Sequence, residues 1–123
     1  MINKEYLNEV YDNSLGHSLV SLWYIFKNET NFQLSKDNFL ECLYVFIFEN
    51  KLRLAKNGVF LKGSIQEQVK MFGNALPDEE RMKEEESYWW YLDDCPGDAV
   101  WIVNEPIDGF TTPAENGKYY YWA

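Results

Sequence analysis

The sequence predicts an α+β fold, N-terminal helices followed by a small antiparallel sheet, folded as a single compact domain over residues 1–123. Three observations carry this. Apolar residues recur at helical spacing up to Ala75, β-prone aromatic runs dominate from Tyr88 onward, and an Asn-Gly pair between alternating residues marks a hairpin. The length is ordinary for one domain, and an aromatic content of 18% supplies enough apolar side-chain surface for one core.

A short helix is expected over Lys4–Tyr11. Leu15, Leu19, Leu22, Trp23 and Phe26 then share one stripe of a helix spanning Ser14–Lys27. Ser35 offers an N-cap with Asp37 in the first turn, opening a central buried helix through Phe39, Leu40, Leu43, Phe46 and Ile47. Leu52–Leu54 and Val59–Leu61 flank Lys56-Asn57-Gly58 and form the hairpin, because Asn and Gly both tolerate positive φ. Ser64-Ile65-Gln66-Glu67 is a capping box that starts a helix reaching Ala75. Pro77 at a first helical position, followed by Asp78, Glu79 and Glu80, starts a solvated helix ending near Glu85. Tyr88–Leu92 and Ala99–Val103 read as an antiparallel pair, Asn104–Gly117 as loop, and Lys118–Trp122 as the last strand.

Charge is concentrated in one stretch. Asp78 to Asp108 holds eleven carboxylates against Arg81 and Lys83, which accounts for the whole net charge of −9. The same stretch carries Tyr88-Trp89-Trp90-Tyr91 and Trp101. Carboxylates around rigid aromatics suit recognition of a basic protein, since charge steers the encounter and desolvated aromatic area supplies affinity. Acidity disfavours phosphate backbones and anionic membranes, which need Lys and Arg. The N-terminus lacks the basic and apolar blocks of a signal peptide and no apolar run reaches spanning length, so a cytoplasmic location is expected.

No chemistry is spelled out. His17 is the single histidine and has no nucleophile or acid at a recognisable spacing, and it cannot make a metal site with two unrelated cysteines, Cys42 and Cys95, read as reduced thiols. Asp93-Asp94-Cys95-Pro96-Gly97-Asp98 lacks the ligand spacing of a calcium loop and reads as a turn, and no glycine-rich phosphate loop is present. No catalytic residue, cofactor or metal is expected, and an enzyme is disfavoured.

Three blocks together are familiar: Ser18-Leu19-Val20-Ser21-Leu22-Trp23-Tyr24, the run from Leu54 to Val69, and Trp89-Trp90-Tyr91-Leu92-Asp93-Asp94-Cys95-Pro96 with Ala99-Val100-Trp101. They resemble a bacterial family of small uncharacterised proteins, the domain of unknown function 596. The resemblance implies a small cytosolic single domain, and some members resemble the immunity partners of secreted polymorphic toxins. It defines no catalytic residues. The tail Asn104–Ala123 departs from the resemblance, being longer than a short loop and a terminal Trp-containing strand require.

The functional expectation is a cytosolic binding protein, in its most concrete form an immunity protein that occludes a basic toxin domain. In a strand Tyr88 and Trp90 would face outward as anchors, ringed by Glu84, Glu85, Glu86, Asp93, Asp94 and Asp98. The alternative is a winged-helix-like nucleic-acid or regulatory module using Lys51, Arg53, Lys56, Lys62 and Lys70 around the hairpin.

Overall fold

A computed structural model describes residues 2–123. The elements run α1 (Lys4–Ser14), α2 (Leu19–Phe26), α3 (Phe32–Phe48), β1 (Leu52–Lys56), β2 (Val59–Phe60), α4 (Ile65–Ala75), α5 (Glu79–Glu85), a 3-10 turn (Trp89–Tyr91), β3 (Asp98–Val103), β4 (Thr111–Pro113) and β5 (Tyr119–Trp122). The strands form one antiparallel sheet in the order β2-β1-β3-β5-β4. The α+β fold predicted from sequence is therefore the fold observed.

The expected Ser14–Lys27 helix is two helices. Gly16 at φ +86° breaks the chain, α1 runs on to Ser14, and α2 begins at Leu19. Leu15, placed on the buried stripe from sequence, is 39% exposed in the connection. Ser18 makes no side-chain cap at α2; the carboxylate of Asp98, 79 residues on, accepts from the Leu19 amide at 2.8 Å instead.

α3 starts earlier than Ser35. Asn31 is its cap, accepting from the Leu34 amide at 3.0 Å, while Ser35 is buried and its hydroxyl accepts from the Asn28 amide at 2.6 Å. The hairpin holds, with Asn57 at φ +52° and Gly58 at φ +79°. So does the capping box: Ser64 Oγ accepts from the Glu67 amide and Glu67 Oε1 from the Ser64 amide. At α5 the cap is Asp78, which accepts from the Arg81 amide, so Pro77 precedes the cap and is not the first helical residue.

Tyr88–Leu92 is not a strand. β3 pairs with β1 on one side and β5 on the other, and the aromatic stretch forms the 3-10 turn. The predicted loop Asn104–Gly117 contains β4, an edge strand whose Pro113 lies where no ladder donor is needed.

The core gathers on the helical side of the sheet. Trp23 packs edge-on against Phe32 and Phe39, Trp90 against Phe39, and Trp101 against Tyr11. Leu52, Leu54, Ala99 and Trp101 supply the sheet's contribution. A second, smaller cluster occupies the opposite face. Val100 lies across from Arg53 and Trp122, Ala55 across from Phe60, and both Val100 and Ala55 are buried although neither belongs to the main core.

Candidate acidic and aromatic surface

The segment from Asp78 to Asp98 carries both the charge and the Trp-Tyr cluster, and its geometry follows from how the 3-10 turn distributes four consecutive aromatics. Successive side chains in such a turn diverge by about 120°, not the 180° of a strand, so two neighbours can face the core together. Trp89 and Trp90 do so, in edge-to-face contact at 5.0 Å. Tyr88 and Tyr91 flank them outward at 48% and 67% exposure, with Leu92 exposed beside them.

Trp90, expected to face a partner, is thus a core residue, and Tyr91 takes the outward role that strand alternation assigned to it. Strand alternation does not govern a 3-10 turn, and nothing in the local sequence separates the two here. Tyr88 is exposed as expected.

The carboxylates separate into three kinds. Glu84 and Asp93 are exposed and make no ion pair among the described residues; Glu80, not singled out from sequence, is like them. Glu85 and Asp94 are both held by Arg81, Asp94 at 2.9 Å, and these two carboxylates raise the Arg81 guanidinium's pKa, the Asp94 hydrogen bond most. Glu86 turns toward the core, accepting from Trp23 Nε1 at 3.2 Å and Lys27 Nζ at 2.9 Å, which raises the Lys27 pKa chiefly through that hydrogen bond.

Asp98 is structural. One of its oxygens accepts from the amides of Leu19 and Ala99 at 2.8 and 2.7 Å, joining the start of α2 to the start of β3. Burial pushes its pKa up in spite of these two bonds, which pull the other way. Asp98, expected as a rim charge, is thus half-buried, with one carboxylate oxygen engaged inside the fold. Glu86 is similarly tied down by Trp23 and Lys27.

The loop between the turn and β3 is clamped from the hairpin. Lys56 Nζ donates to the carbonyls of Asp93, at 2.7 Å, and Cys95. Gly97 lies so near the β1 backbone that a Cβ would sit 2.6 Å from the Ala55 carbonyl oxygen. Cys42 and Cys95 are free and buried, and desolvation raises their thiols to about 12 and about 11, far from the thiolate a nucleophile or metal ligand requires. No helix of the described residues is long and apolar enough to cross a membrane.

Residues 47–123 match the model of a family described as a protein of unknown function, DUF596. The chain belongs to this family. The match takes in the hairpin, the Trp89-Trp90 pair, β3 and the whole tail, so the DUF596 pattern includes β4 and β5, and the tail is no departure from it. The Ser18–Tyr24 block lies outside the matched range. Among solved structures, an uncharacterised protein conserved in bacteria, from Neisseria meningitidis, is similar over 96% of this DUF596 chain and 88% of its own, with a TM-score of 0.67 at 18% identity. At that identity the likeness concerns the fold alone, and it extends through the N-terminal helices that the family match leaves out. No curated protein matches the chain significantly.

Proposed function

We propose that this DUF596 protein is a binding protein that captures a basic protein on the surface made by α5, the 3-10 turn and the loop to β3. The observation that carries it is the exposure, within one acidic segment, of Tyr88, Tyr91 and Leu92 and of the unpaired Glu80, Glu84 and Asp93, next in sequence to two buried tryptophans. Exposed rigid aromatics supply anchors whose burial excludes water, and unpaired carboxylates around them supply long-range attraction to a cationic surface. In its finer form the reading is an immunity protein in the cytoplasm, occluding a toxin domain whose substrate cleft is basic.

The nucleic-acid alternative has less support. Lys51 lies over the Tyr11 ring and beside Glu49, Arg53 is stacked on Phe60, and Lys56 is spent on two carbonyls. Of the hairpin set Lys62 and Lys70 are exposed and Arg53 alone among the others keeps free donors, which is too few for a phosphate-tracking surface.

The test is co-expression with the product of the adjacent reading frame, followed by binding kinetics at graded salt. A basic partner whose association slows with salt supports the reading. Binding that is salt-insensitive, or that survives Tyr91→Ala together with Glu84→Lys unchanged, overturns it.

A further inference from the structure

On the sheet face opposite the core, Arg53 has no acidic partner. In a chain with twenty carboxylates and eleven bases, a half-buried guanidinium would ordinarily find one. Among the described residues no carboxylate lies in ion-pair contact with it. Its plane is fixed instead by aromatic side chains. The guanidinium carbon stands 3.6 Å from the Phe60 ring centroid, and Nη1 donates to the Tyr120 hydroxyl at 3.1 Å. Of five N–H donors, one is used within the protein, and the rest form a fork whose orientation is already set.

Arg53 borders a groove of about 370 Å³ that is lined also from the end of α3, the start of α4 and β5. The volume lies within the range of about 300–1,000 Å³ usual for small-ligand sites, and the lining joins an apolar strip to a somewhat larger share of polar side chains. Ile47, Ile65 and Ile102 supply the apolar strip, while Asn50, Glu115, Asn116, Lys118 and Tyr120 stand with Arg53 as the polar groups, Lys118 Nζ being hydrogen-bonded to Asn104 Oδ1.

We infer that this groove binds a small monoanionic carboxylate with an apolar body, its carboxylate on the Arg53 fork and its hydrocarbon against the isoleucines. A planar fork matches a carboxylate in bidentate fashion. It would match a phosphate as well, but the net charge of −9 and Glu115 at the groove penalise each additional negative charge, and a phosphate offers nothing to the apolar wall. The site is remote in sequence from the α5 surface and stands independently of the function proposed for it.

The experiment titrates the full-length protein with octanoate, octanamide and inorganic phosphate, reading amide and Arg Nε–H shifts by NMR. The expected result is saturable octanoate binding, with shifts confined to Asn50, Arg53, Ile102, Asn116 and Lys118. Octanamide, which keeps the body and loses the charge, should bind about tenfold more weakly, as should octanoate to Arg53→Gln. Should Arg53→Gln fail to fold, the comparison of the two ligands on the parent protein still decides. Equal binding of octanoate and octanamide, phosphate competing as well as octanoate, shifts elsewhere, or no saturation would each overturn the inference.

Discussion

Tyr88, Trp89, Trp90 and Tyr91 are adjacent and chemically alike, yet the two indoles are almost wholly buried and the two phenols stand in solvent. The indoles hold the acidic segment to the domain: Trp90 meets Trp23 and Phe39, the residues at the centre of the α2–α3 core. The phenols make no side-chain hydrogen bond or ring contact among the described residues. The contrast separates what builds the surface from what the surface is free to touch, so a mutation on one side should read out in stability and on the other in binding.

The sharpest way to break that division is to truncate an indole. Trp90→Ala, like Trp23→Ala, is expected to destabilise the fold by about 3–5 kcal/mol, because each leaves a cavity among aromatic rings that cannot close it. Denaturant unfolding measures it. A Trp90→Ala protein as stable as its parent would show that the turn is not anchored to the core.

How much of this was readable beforehand depends on the element. α3 and α4 announce themselves through several turns of helical periodicity and, at α4, a capping box whose partners are three residues apart. The 3-10 turn has only three residues, too few for any period to register, and the decision that it is not a strand is made elsewhere: β5 takes the place beside β3 that Tyr88–Leu92 would have needed. The cap of α2 was illegible for the same reason, since Asp98 reaches Leu19 from 79 residues away. The acidic and aromatic character of the surface was legible, as was the exposure of Tyr88, Glu84 and Asp93; the burial of Trp90 in place of Tyr91 was not.

A smaller loss is expected where the loop after the turn meets β1. In Gly97→Ala the new methyl would collide with the Ala55 carbonyl oxygen, which is backbone and held in the sheet, so the loop must shift at about 1–3 kcal/mol. Thermal unfolding checks it. If the variant keeps parental stability, the loop is looser than its clamp by Lys56 implies.

Asp98 sharpens the contrast between structural and free carboxylates. Asp98→Ala strands the Leu19 amide at about 1–3 kcal/mol, whereas Asp98→Asn keeps an acceptor oxygen and removes a desolvated charge. Because the folded-state carboxyl titrates above its ordinary value, the folded protein takes up this proton sooner than the unfolded chain as pH falls. Any stability gained by Asp98→Asn should therefore be full above that raised value and shrink as pH falls through it. A gap that instead widened with acid would mean that the charge is favoured by the α2 N-terminus more than burial disfavours it.

The smallest effect on stability belongs to the exposed groups, and there the readout changes. Tyr91→Ala and the reversal of Glu84 and Asp93 to Lys should each leave unfolding within about 0.5 kcal/mol of the parent, since neither carboxylate is paired and the phenol is two-thirds exposed. Against a basic partner the two should diverge. Reversal removes long-range attraction, screened over about 8 Å at physiological salt, and should slow association while leaving dissociation nearly unchanged. Tyr91→Ala removes a contact formed only after docking and should speed dissociation instead. Both rates moving together in both variants would show that charge and aromatic are not separate contributions, and no change in either would leave this surface merely solvated.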